Sequence, residues 1–162
     1  MGIEIERKFL VLDDRYKAAA TKVEKMEQGY LGKLGRASVR IRRHDDQATL
    51  NIKSATLGIS RREYEYAVPL HDAQEMLEDL CDGAVIRKTR HHVPVGKHVY
   101  EVDEFDGANQ GLVVAEIELT HEDEAFEKPD WLGAEVSEDP RYYNVALVAH
   151  PFCDWDKTGE DG

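Results

Sequence analysis

Seven short stretches of the chain place charged or amide side chains two residues apart. Near the N-terminus "IEIERKF" carries Glu4, Glu6 and Lys8, and "VRIR" carries Arg40 and Arg42. "LNIKS" offers Asn51 and Lys53, "SRREYEY" offers Arg61, Glu63 and Glu65, and "YEVDEF" offers Glu101 and Asp103. "AEIEL" adds Glu116 and Glu118, while "VIRKTRHH" divides Arg87 from Lys88 and Arg90 by parity. A spacing of two puts such residues on one face of a β-strand. The faces are segregated by sign, some carrying only bases and others almost only acids. Bases from several strands can surround a polyanion, and carboxylates can hold hard divalent cations.

Two arrangements give this alternation. In an ordinary antiparallel sheet the charged face is in water, and periodicity alone favours that arrangement. The separation of signs along strands argues against it, because a solvated face gains by mixing charges between neighbours. The alternative is a closed barrel with its charges inside and its apolar stripes outside. Such an interior is tolerable only if water, metal ions and a polyanion fill it, since dry burial of so many charges is prohibitive.

The elements that must position these residues are mostly short strands, expected near 3–11, 22–31, 37–44, 47–55, 60–68, 84–93, 98–105 and 112–120. "HDDQ" and "PVGKH" read as hairpin turns, and helical spacing fits 13–20, 71–81 and 141–149. "KVEKMEQGYL" shows no clean period. Eight strands with few helices indicate an antiparallel barrel or sandwich. The 162 residues are expected to form a single domain over 1–150 with an acidic tail at 151–162.

The bulk composition narrows the function. A net charge of −12 argues against general nucleic-acid binding, but a pocket can oppose the charge of the whole molecule. No apolar run is long enough to span a membrane, and no secretory signal pattern opens the chain. Cys81 and Cys153 have no metal-binding spacing and are expected to be buried or partly buried thiols in a reducing cytoplasm. The histidines are scattered and predict no zinc site. A Walker-type phosphate loop is missing, so the glycines of "GYLGKLGR" read as turns.

The ordered set "EIERKF", "QGYL", "VRIR", "LNIKS", "REYEY", "IRKTRH", "YEVDEF", "AEIEL" and "DPRYYNVALV" resembles the CYTH superfamily of triphosphate tunnel metalloenzymes over roughly residues 3–148. The resemblance implies an α+β, mainly β fold: a closed eight-stranded antiparallel β-barrel forming a hydrophilic tunnel, with helices packed outside. It turns Lys88 and Arg90 inward and Arg87 outward, and it sets a C-terminal helix with Tyr142, Tyr143 and Asn144 near one tunnel mouth. It also implies that Lys8, Arg40, Arg42, Lys53, Lys88 and Arg90 bind phosphate. Glu4, Glu6, Glu63, Glu65, Asp103, Glu116 and Glu118 become metal ligands, with Glu101 next, for a two-metal site holding Mg²⁺ or Mn²⁺. Hydrolysis of the terminal phosphoanhydride of a small-molecule triphosphate, inorganic tripolyphosphate first, would use metal-activated water. Lys88, Arg90, Glu4 and Glu6 would be the catalytic set. The alternatives are a class IV-like adenylate cyclase, a nucleotide or thiamine triphosphatase, and a non-catalytic polyphosphate-binding module. The His-Phe element of the cyclases is absent from the start of this chain.

Overall fold

The computed structural model describes residues 2–55 and 59–155. Alternating apolar and polar residues produce nine strands: β1 (Gly2–Val11), β2 (Lys22–Leu34), β3 (Ala37–His44), β4 (Gln47–Ser54), β5 (Ser60–Ala67), β6 (Asp82–Val95), β7 (His98–Phe105), β8 (Val113–Leu119) and β9 (Leu132–Glu135). Helices α1 (Tyr16–Ala19), α2 (Leu70–Asp79) and α3 (Asn144–Ala149) lie between or after them. The strand order is β5-β4-β3-β2-β6-β7-β8-β1, and antiparallel pairing of β5 with β1 closes the barrel. Eight strands therefore leave no free edge, and β9 lengthens the wall beside β1.

Two hairpins fix the register locally. His44 faces Gln47 across a two-residue turn in which Asp45 has φ 54°. Val95 faces His98 across a second turn, where Gly96 has φ 60°. Positive φ is the backbone such tight connections demand.

Two apolar layers lie outside the barrel wall, and a third closes one end of its interior. Phe9, Tyr100, Val102 and Ile117 pack beneath Tyr16 of α1 and Trp131. On the inward face at one end of the barrel, Ile86, Phe105 and Val114 pack beneath Tyr142 and Leu147. Ile41 and Ala48 meet Ala73 of α2, with Met76 and Leu77 alongside. The rest of the inward face is mostly charged or polar.

Several expectations need adjustment. The strand Leu132–Glu135 has no counterpart in the sequence reading. Only residues 16–19 and 144–149 of the two outer helical spans are α-helical, with a 3₁₀ turn at Pro140–Tyr142. Cys153 is exposed while Cys81 is partly covered, and neither is in a disulfide. Trp155, assigned to the tail, packs edge-on against Tyr142 and Phe152. Residues 156–162 of that tail lie outside the described residues. No helix among the described residues is long and apolar enough to cross a membrane.

Candidate active site

Alternation on each strand and closure of the barrel together bring the charged faces to one cavity of about 230 Å³. Its wall includes Glu4, Glu6 and Lys8 from β1, Arg40 and Arg42 from β3, and Asn51 and Lys53 from β4. It continues through Arg61, Glu63 and Glu65 of β5, Lys88 and Arg90 of β6, Glu101 of β7, and Glu116 and Glu118 of β8. Tyr143, Asn144 and Val145 contribute from the start of α3. Tyr142 instead is buried in the apolar layer that closes one end of the barrel. Arg87 points outward and meets Glu27 at 2.9 Å.

Opposite charges divide this interior into groups. Glu4 receives Lys53 at 3.1 Å and Arg61 at 3.2 Å. These cations hold its carboxyl below the usual range in spite of burial. Glu63 and Glu65 both accept from the Asn51 side-chain amide, at 3.1 and 2.8 Å. Asp103 binds Lys88 at 2.8 Å and the Arg90 guanidinium through two bonds of 2.8 and 2.9 Å. Burial opposes its ionisation, but those two cations overcome it and bring the pKa down to about 2. Glu116 meets Lys8 at 3.2 Å and Arg90 at 3.3 Å.

Carboxylates also crowd one another. Glu6, Glu101 and Glu116 each offer an oxygen, and these oxygens lie within 4.8 Å of one another. Burial together with Glu116 and Glu4 drives the Glu6 carboxyl well above its ordinary range. Glu118 shifts upward too, through burial and then Glu4, Glu101 and Glu63. Excess negative charge of this kind, presented by hard oxygen donors, suits a divalent cation. Of the metal candidates in the sequence, Glu6 and Glu116 join this group and Glu101 completes it. Asp103 stands apart, held by Lys88 and Arg90.

Positive charge is in excess on the opposite strands. Neither Arg40 nor Arg42 has a carboxylate within ion-pair distance among the described residues, and Arg40 Nε is buried without a hydrogen-bond partner. Burial, with Arg40 and Arg90 nearby, lowers the Arg42 pKa to about 9. Lys88 falls to about 7, chiefly by burial and against the pull of Asp103. The enclosed pair Arg40 and Arg42, without a carboxylate partner among the described residues, is the kind of charge a polyanion would suit.

Gln28 is missing from the candidates read in the sequence. It is fully buried on β2, where it accepts from Arg42 Nε at 2.8 Å and donates to Asn144 Oδ1 at 2.7 Å. A pairing irregularity between Tyr30 and Gly32 interrupts β2. The inward series Glu24, Met26, Gln28, Tyr30 also mixes residue types, so no polarity period marks it. The motif "QGYL" was the available signal.

Comparison with known proteins follows the same boundaries. The CYTH domain family matches residues 2–145. An inorganic triphosphatase of Acetivibrio thermocellus is 49% identical over 152 residues, 94% of this chain and 97% of its own. One from Nitrosomonas europaea is 36% identical over 150 residues, covering 90% and 96%. A crystal structure of an inorganic triphosphatase, 33% identical, superposes with a TM-score of 0.63 over 90% of this chain and 97% of that one. An inward-charged eight-stranded barrel, the ordered motifs and these matches agree: the chain belongs to the CYTH family.

Proposed function

We propose that this protein is a divalent-metal-dependent inorganic triphosphatase that cleaves the terminal phosphoanhydride of tripolyphosphate inside the barrel. The observation carrying this reading is the juxtaposition, in one polar cavity, of unpaired Arg40 and Arg42 with the three converging carboxylates. A triphosphate carries about four negative charges near neutral pH, enough to compensate a cluster of this kind. The named activity of the Acetivibrio and Nitrosomonas relatives supports the same substrate class.

Size and lining favour an inorganic substrate. At about 230 Å³ the cavity is smaller than the roughly 300–1,000 Å³ typical of drug-sized ligand sites. Only Tyr30, Tyr143 and Val145 could offer a base or thiazole ring an apolar surface, and the other lining residues are charged or polar.

In this reading Arg40 and Arg42 grip phosphate oxygens in forked hydrogen bonds, while Lys53 and Lys8 act as compact charges. Lys88 and Arg90, held by Asp103, stabilise negative charge as the terminal phosphoryl group departs. Glu6, Glu101 and Glu116 hold a hard cation, Mg²⁺ or Mn²⁺, and the surplus charge around Glu118 marks where a second would be held. When bound, such a cation neutralises phosphate charge and lowers the pKa of its water. Glu4, Glu63 and Glu65 keep Lys53, Arg61 and Asn51 in place. No side-chain nucleophile is required. This action is placed in the cytoplasm, the compartment that keeps cysteines such as Cys81 and Cys153 out of disulfides.

Phosphate release from tripolyphosphate, ATP, GTP and thiamine triphosphate, each with Mg²⁺ or Mn²⁺, tests this reading. We expect rapid turnover of tripolyphosphate, abolished by EDTA. Cyclic AMP and pyrophosphate from ATP would assign a cyclase, and metal-dependent binding without turnover a storage or sensing module.

A further inference from the structure

Arg42 and Lys88 stand among other cations, yet each must be aimed at one place. A carboxylate would aim them but would also neutralise them and compete with an incoming anion. Asp103 already serves Lys88 and Arg90 together. The remaining hold on the two groups is made by amides. Arg42 Nε donates to Gln28 Oε1 at 2.8 Å, Gln28 Nε2 donates to Asn144 Oδ1 at 2.7 Å, and Lys88 Nζ donates to the same Asn144 oxygen at 2.9 Å.

The order of donors in this chain is forced. Guanidinium and ammonium groups only donate, so each end must meet an amide oxygen. Gln28 then has only its NH₂ to offer Asn144, which answers with its oxygen. Four elements are tied together: β3 through Arg42, β2 through Gln28, α3 through Asn144 and β6 through Lys88. Gln28 is 0% exposed, so its amide has no water to fall back on.

We propose that Gln28 and Asn144 are positioning residues: Gln28 orients Arg42 through an uncharged acceptor, which leaves that guanidinium's charge available to the phosphate chain, while Asn144 anchors Gln28 and gives Lys88 a neutral acceptor beside its carboxylate partner Asp103. This rests on the reading of those cations as triphosphate ligands. It also gives the start of α3 a part in the site: Asn144 is the link between the C-terminal helix and the cation cluster.

The isosteric acids Gln28→Glu and Asn144→Asp discriminate the role. Each keeps an acceptor at the same place and adds the charge the design avoids. We expect the KM for tripolyphosphate to rise about tenfold or more, with a smaller change in kcat, because a carboxylate beside the phosphate repels it and occupies its cation. The melting temperature of the metal-free Asn144→Asp protein should hold or rise, since its carboxylate still accepts from Gln28 and pairs with Lys88, whereas Gln28→Glu loses the donor to Asn144 and is read by KM alone. Affinity lost while stability is kept is not what a purely structural amide would give. An unchanged KM in both variants, with Arg42→Ala raising it, overturns the assignment and leaves the site intact. An unchanged KM in Arg42→Ala overturns the phosphate site itself and the assignment with it. Asn144 is only partly buried at a helix start, so Asn144→Asp decides the matter if Gln28→Glu does not fold.

Discussion

Arg42→Met separates a cation kept for binding from one kept for folding. In the apo protein the guanidinium is charged at a position whose pKa is pulled from 12.5 to about 9. At about 1.4 kcal/mol per pH unit, that displacement corresponds to a penalty on the order of 5 kcal/mol. Removing the group also forfeits its charge-assisted hydrogen bond to Gln28, about 1.5–3 kcal/mol. The balance is about 2–3 kcal/mol in favour of the variant. For a chain of this length that is a rise in melting temperature of roughly 5–10 °C. Binding should move the other way. One unit charge about 4 Å from phosphate, at an effective dielectric near 20, contributes about 4 kcal/mol, or several hundredfold in Kd. Thermal melts of the metal-free protein and calorimetric titration with tripolyphosphate in EDTA measure both quantities without turnover. A variant that melts no higher than the wild type and binds tripolyphosphate equally well would refute the reasoning that Arg42 is an uncompensated anion ligand.

Removing a partner from a compensated pair should have the opposite sign. Asp103→Asn leaves Lys88 and Arg90 without their shared carboxylate and should destabilise the protein by about 3–5 kcal/mol in denaturant melts. Because the Asp103 pKa is depressed to about 2, its stabilisation is full above pH ~4 and is lost as pH falls towards 2; the wild type should show that acid loss and Asp103→Asn should not. Glu6 titrates in the reverse sense: its raised pKa means the fold retains a proton that the unfolded chain releases, so apo stability falls as pH rises through that window. A cation must displace this proton, so Mg²⁺ affinity should increase with pH, with proton release visible by calorimetry in buffers of different ionisation enthalpy, and Glu6→Gln should remove both effects. Outside the site, a Cβ at Gly29 would lie 2.6 Å from Cys81 Sγ, so Gly29→Ala should destabilise by about 1–3 kcal/mol and Cys81→Gly should recover much of the loss in a double-mutant cycle.

The strand faces were legible because a period of two is a local property. Glu4, Glu6 and Lys8, or Arg40 and Arg42, share a side wherever the strand ends up, and the hairpin turns at 45–46 and 96–97 follow from short-range backbone demands. Composition could not show β9, a four-residue strand whose partner, β1, is distant in the chain. Nor could it show Gln28, whose strand mixes an acid, a thioether, an amide and a phenol on its inward face.

Sequence by itself thus determined which side chains share a face of most strands, and the family its ordered motifs resemble implied that the charged face turns inward. Only the tertiary structure decided how those side chains are partnered across the cavity. Asp103 went to Lys88 and Arg90, Glu101 joined Glu6 and Glu116, and Arg40 and Arg42 were left without a carboxylate. The reason is geometric: alternation fixes direction within one strand, whereas distances between strands depend on the closure of β5 onto β1 and on the stagger of all eight.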